Sequence, residues 1–302
     1  MSSIDINWVV EHEPLHLFLR TAENFKTKIS ELSNDRINVN IIVKTPETDY
    51  IKADMRQLTT TVLGQYYSDF SVFDLPFLFK DHDHVSRVVD GKVGMSLLNQ
   101  LGKVSKFQGL AFTYSGGFRT MVSKKPIKSL KDLENLTFSC QNSEIIADTY
   151  KILGVNPVQY KTDSDADLKK AILESPNIDF DGGETTLVRY DTVKDFAPYI
   201  TDTGHSIFMT TILIKKEFFE KLSEEDKNLL FSAAKYAAKK ERENTIQDTE
   251  QFKKNANQHC KGMFEFDENE LENFKNKTKK LYEKEYLNSH FSPNLAKQVF
   301  NS

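Results

Sequence analysis

The sequence predicts an α/β protein of two lobes, with one long helix crossing between them. Three observations point there. Residues 4–43 read as strand–helix–strand, the unit from which α/β layers are assembled. A second run of short apolar strands and helices begins near Leu110. From Ser223 a largely polar helical pattern runs to Lys254 without Gly or Pro, more than the face of a single lobe requires. The chain has 302 residues, which suits two domains of about 150 residues each.

Each element follows from local pattern. Ile4–Val10 alternates apolar and polar residues and then turns fully apolar, as a strand entering a core does. Pro14 suits a helix start, and Leu15, Leu19, Ala22, Phe25 and Ile29 follow at helical spacing. Ser33-Asn34-Asp35 makes a turn, and Ile37–Val43 is the second strand. Asp81 or Asp83 caps a helix whose apolar positions begin at Val85. Leu110–Tyr114 is a short buried strand, after which Gly116-Gly117 marks a tight turn or hinge. Leu136–Cys140 is a strand. Residues 143–153 form a helix closed by Gly154, and Ile212–Ile214 is the centre of a later strand. Ser223 is the N-cap of the long helix, with Glu224, Glu225 and Asp226 suited to its first turn. The basic stretch Lys275–Lys280 falls on the last helix and reads as a solvated face.

Composition narrows the function classes. Hydrophobic residues make up 39% and charged residues 28%, a globular balance. No apolar run approaches the roughly 20 residues of a membrane helix. The net charge of −4 provides no electrostatic footprint for nucleic acid or an anionic membrane. The N-terminus lacks a basic region followed by an apolar one. The protein is therefore cytoplasmic, or a mature form whose signal peptide was replaced by an initiator Met. Cys140 and Cys260 allow one disulfide in an oxidising compartment or two free thiols.

Few motifs carry chemistry. His12-Glu13-Pro14-Leu15-His16 matches HExxH, in which two His one turn apart on a helix share a metal. Pro14 breaks that turn, so the match predicts no metal. His12 and Glu13 instead stand at the end of the first strand, where α/β folds place ligand contacts. Asp179–Glu184 combines acids and glycines without calcium-loop spacing. No phosphate-binding glycine loop and no nucleophile elbow occur. The lack of a catalytic signature favours binding over turnover, and neither a metal nor a cofactor is expected.

A series of segments resembles the solute-binding proteins of tripartite ATP-independent periplasmic (TRAP) transporters, the DctP family. They are 25–41 with its turn at Ser33–Ile37, the string Val72-Phe73-Asp74-Leu75-Pro76-Phe77-Leu78-Phe79, Gly117-Phe118-Arg119-Thr120, 125–133, Leu153–Pro157, Phe180-Asp181-Gly182-Gly183-Glu184, Thr203-Gly204-His205 and the helix from Ser223. The resemblance covers nearly the whole chain. It implies a periplasmic-binding-protein-like fold of two lobes joined by hinge strands, lobe I being 1–120 plus 206–250 and lobe II 121–205 plus 251–302. It also implies export, with the signal peptide already removed, capture of a small ligand between the lobes, and delivery to a TRAP membrane permease. Arg119 matches an arginine position that contacts ligand in some members, and Glu184 matches a segment that in some members lies at the ligand or at a bound cation. The family's usual clamp arginine, which pairs with a ligand carboxylate in two parallel bonds, is replaced by Ser139, and Thr185 stands where many members have Asn or Trp. With Thr60, Tyr66, Phe70, Phe208 and Met209 as neutral or apolar lining, the expected ligand is neutral or partly apolar, or an acid anchored by Arg119. Two other readings of the same pattern remain: an α/β enzyme using His12, Glu13 or Glu184 as acid or base, and a sensor or scaffold that has lost transport.

Overall fold

The computed structural model describes residues 3–11, 14–45, 48–49, 52–160, 171–173 and 175–302. The N-terminal unit forms as its periodicity predicts. Strand β1 (Ile4–Val10) pairs in parallel with β2 (Ile37–Val43), and helix α1 (Leu15–Ser33) between them has Pro14 at its N-cap. Asn34 and Asp35 turn the chain with positive φ, a conformation that short polar side chains tolerate. Strand β3 (Met55–Thr59) leads into helix α2 (Thr60–Gly64), whose cap is the Thr59 hydroxyl. Asp81 caps α3 (His82–Val89), its carboxylate accepting from the His84 N–H at 2.7 Å, and α4 (Lys92–Val104) follows.

The next strand departs from expectation. Leu110–Tyr114 is only part of β4 (Phe107–Ser123), which passes straight through Gly116-Gly117. The glycines make a bulge rather than a turn, because pairing with β9 (Ile207–Lys215) resumes at Gly117↔Phe208 after a register shift. A positive-φ Gly pair permits either outcome, and the neighbouring strand decides between them. The first half of β4 pairs with β9. Its second half lies between β7 (Gly182–Thr186) and β8 (Tyr199–Asp202). Strands β5 (Thr137–Cys140) and β6 (Asn156–Gln159) extend the β7 side, and β10 (Gly262–Glu265) pairs with β8. The strand order is therefore β2-β1-β3-β9-β4-β7-β5-β6, with β8 and β10 off this path. Among the described strands, β4 and the β8–β9 run cross from one half of the sheet to the other.

Helix α5 (Glu144–Ile152) covers β5, capped by Ser143 and followed by Gly154 at positive φ. The long helix Glu224–Lys254 has 31 residues, about 46 Å at 1.5 Å per residue. Ser223 caps it, accepting from the Asp226 N–H at 3.1 Å. Its buried middle is Ala233, Ala234, Ala237 and Ala238, small enough to let α1 and β4 approach closely. Arg20 of α1 binds buried Glu241 through two bonds of 2.7 and 2.8 Å. At the far end Phe252 packs on Tyr190 and Lys253 reaches Asp202 at 2.5 Å, so the helix spans both halves.

The structure decides between the two alternatives for the cysteines and corrects one expectation. Cys140 is buried beside Phe138 and Tyr150, whereas Cys260 borders a different cluster around Tyr190, and both thiols are free. Lys275–Lys280 does not lie on the last helix. It ends the helix Glu268–Thr278 and enters a 3-10 turn, Lys279–Tyr282, followed by helices Lys284–His290 and Leu295–Phe300. These final helices fold back: Leu281, Phe291, Leu295 and Val299 share a core with Phe73, Val85 and Leu101. Among the described residues no helix is long and apolar enough to cross a membrane.

Candidate functional site

Polar side chains gather where the carboxyl ends of β5 and β7 meet the middle of β4. Arg119 is 3% exposed. Its Nη1 lies 3.1 Å from Glu184 Oε1, and its Nη2 donates to Gln141 Oε1 at 2.6 Å. The guanidinium also sits over the Phe208 ring, 4.2 Å from its centroid, and Arg189 lies 4.9 Å from the same ring. Glu184 accepts from the Tyr150 hydroxyl at 3.1 Å and lies 3.5 Å from His205 Nε2, while His205 Nδ1 is 2.6 Å from Thr203 Oγ1. Burial alone would push the Glu184 carboxyl up, but the Arg119 charge and the His205 contact outweigh it and hold it below the ordinary value.

This network continues across the halves of the molecule. Thr61 Oγ1, on α2, is 3.1 Å from both Gln141 Oε1 and Asp74 Oδ1. A hydroxyl has one proton to donate. Gln141 Oε1 and an ionised Asp74 would both need it, so both contacts are hydrogen bonds only when Asp74 is protonated and donates to Thr61. Burial pushes the Asp74 carboxyl up to about 6, which favours that arrangement. Asp74 Oδ2 and Thr185 Oγ1 are buried with no hydrogen-bond partner among the described residues, polar capacity that a solute can satisfy.

The expected site residues divide into groups. Arg119, Glu184 and Phe208 come together. Ser139 pairs with Gly183 and Thr185 with Thr120, so strand alternation turns both to the face opposite Glu184. Thr60 donates to the Met209 carbonyl at 3.3 Å. Phe70 and Met209 are core. Tyr66 is 46% exposed and packs on Phe107, at the other end of β4 from Arg119. His12 and Glu13 lie outside the described residues, as does any metal pair they could form with His16. Among the described residues no cluster of three or more metal-binding side chains occurs. Gln141, Tyr150, Arg189 and Thr61 had no motif to mark them, and Asp74 fell in the 72–79 string without a role. A buried acceptor beside a buried Arg becomes visible only when β4 and β5 are placed in one sheet.

The sequence model for bacterial extracellular solute-binding proteins, family 7 (DctP), matches residues 9–289. The chain belongs to this family. The C4-dicarboxylate-binding protein DctB of Bacillus subtilis is 27% identical over 179 residues, 59% of this chain and 49% of DctB. The 2,3-diketo-L-gulonate-binding periplasmic protein YiaO of Escherichia coli is 29% identical over 183 residues, 60% of this chain and 54% of YiaO. The chain thus spans about half the length of these curated relatives. The sugar acid binding protein DctPAm of Advenella mimigardefordensis, solved with galactonate, shares the fold with a TM-score of 0.85 at 21% identity, over 100% of this chain and 98% of that one. Its TRAP-type neighbours are two-lobed, and β4 with the β8–β9 run are the hinge strands of this DctP-family chain.

Proposed function

We propose that this DctP-family chain is a solute receptor that captures a small molecule between its lobes, closes on it and delivers it to a TRAP-type membrane permease outside the cytoplasm. Family membership and the hinge geometry support this reading, and the relatives' solutes, dicarboxylates and sugar acids, set the scale of the ligand. The proposed lobes are 1–120 with 206–250 and 121–205 with 251–302, the last helices reaching back onto the first lobe. No turnover is expected, so a bound solute should be recovered unchanged.

One observation carries the ligand class. The guanidinium that could clamp a carboxylate is already matched: Arg119 is ion-paired with Glu184 and donates to Gln141, and Ser139 stands at the usual arginine position. A carboxylate buried beside Ser139 would lack a counter-ion there, a costly arrangement. The proposed solute is therefore neutral or partly apolar, held on the face of Ser139 and Thr185 by hydrogen bonds to groups such as the Thr185 hydroxyl. Binding of short dicarboxylates, sugar acids and neutral solutes is to be measured by calorimetry on the wild type and Ser139→Arg. The wild type should prefer the neutral solutes, and Ser139→Arg should gain affinity for the acids. Tight wild-type binding of succinate, with its carboxylate beside Ser139 in a crystal structure, would sink the ligand assignment.

A further inference from the structure

Beyond the Arg119 network, a cavity of about 920 Å³ opens beside the hinge strands. Arg119, Gln141, Ser139, Glu184 and Phe208 do not line it. Phe118, the neighbour of Arg119 on β4, does, because consecutive strand residues point to opposite faces. Its ring lies 4.9 Å from that of His82. The size falls within the range of ordinary small-molecule sites, roughly 300–1,000 Å³.

The lining has two chemistries. Phe77, Phe79, Phe118, Leu187 and Leu271 supply an apolar floor, and Lys80, Lys253, Lys275, Lys279 and Lys297 supply a cationic rim. Asp202 is the acid among the described lining residues, and Lys253 takes it at 2.5 Å. Among the described residues, Lys80, Lys275, Lys279 and Lys297 have no carboxylate within ion-pair reach. Lys80 lies over the Phe300 ring, Lys275 lies over the Phe77 ring, and Lys279 donates to the neutral Asn276. Like charges held around an apolar hollow on a chain of net charge −4 focus a positive potential there.

The walls are also built with some strain. Phe77 has φ +58, rare for a bulky side chain. It is kept there by its N–H donating to the His205 carbonyl at 2.6 Å and by its ring meeting Phe274 edge-on at 4.9 Å. The 76–82 segment and the C-terminal helices form one wall, and Thr203, Gly204 and the helix Glu268–Thr278 the other. Thr203 leads through His205 to Glu184.

We propose that this cavity is a second ligand site, distinct from the Arg119 network, and that it takes an organic anion: one anionic head on an apolar body. The head sits among Lys275, Lys279 and Lys80, and the body lies against Phe77, Phe118 and Leu271. Since both walls touch the occupant, it favours the relative placement of the lobes in which they stand at this spacing.

The probe is monomeric decanoate, titrated by calorimetry at low salt, with decanol and decyltrimethylammonium as uncharged and cationic counterparts. Decanoate should bind at least tenfold more tightly than either. The double variant Lys275→Glu/Lys279→Glu, changed only at exposed positions, should lose at least tenfold for decanoate and keep wild-type affinity for whichever solute the cleft screen identifies. No decanoate binding, equal binding of the three probes, or undiminished binding by the double variant would overturn the site. Loss of the cleft solute in that variant would merge the two sites and overturn their separation. Sedimentation with anionic phospholipid vesicles, without any signal from decanoate, would assign the lysines to a membrane surface and overturn the cavity site.

Discussion

A guanidinium as buried as that of Arg119 is a costly charge unless it is paired, and Glu184, itself 4% exposed, is its partner. Such a pair adds little net stability when intact, yet breaking it is expensive, because one charge stays buried alone. Arg119→Ala should therefore cost about 3–5 kcal/mol in urea denaturation at pH 7.5. A cost under about 1 kcal/mol would show that Tyr150 and His205 satisfy Glu184 without it. Asp74 behaves in the opposite sense. Burial raises its folded pKa to about 6 from an ordinary 3.8, so its protonated form favours the fold. That contribution is complete below pH 4 and is lost as pH rises through 6. Asp74→Asn should thus stabilise the protein at pH 7.5 by up to about 3 kcal/mol and have almost no effect at pH 4. Parallel stability curves for variant and wild type between pH 4 and 7.5 would refute it. The family resemblance marked Arg119 and Glu184 individually; that they bind each other, through a network including Gln141, is a property of the assembled sheet.

Among the elements, β4 differs most from its reading in sequence. The short apolar string and the glycine pair were both legible, but a hairpin turn and a strand bulge use the same residues. The deciding factor is β9, which continues to pair beyond the glycines. Gly116 has φ +118, and a Cβ there would come 1.9 Å from Thr186 Oγ1. Gly116→Ala combines backbone strain with that clash and should destabilise by about 1–3 kcal/mol, measured by denaturant midpoint at constant slope. An unchanged midpoint would mean that β4 relaxes there without loss. The long helix, by contrast, was legible from its capping serine and its uninterrupted pattern. Its buried face was not obvious, since beyond Leu230 it is occupied by alanines and the Glu241 and Arg242 side chains. Arg242 donates to the Phe112 carbonyl at 2.7 Å and to Asp90 at 2.5 Å, contacts that no helical periodicity predicts.

For the whole molecule, the proposed closure would place small rotations at the Gly116-Gly117 bulge and the 203–206 connection, where β4 and the β8–β9 run pass between the halves of the sheet. A solute touching both lobes binds the closed arrangement better and shifts the population towards it. Small-angle scattering should show a smaller radius of gyration at saturating solute, and an unchanged radius would count against hinge closure.

Local pattern in the chain determined which stretches become strands and helices and where several of them start, because periodicity and capping act over a few residues. The β1–α1–β2 unit, the Asp81 and Ser223 caps and the long helix all follow from it. The tertiary structure alone decided which charges are matched and which cavities form. Arg119 meets Gln141 and Glu184, and Lys275 meets the Phe77 ring, only after strands and helices distant in sequence pack together. Residue type specifies that a charge needs a partner; packing geometry specifies which partner it has.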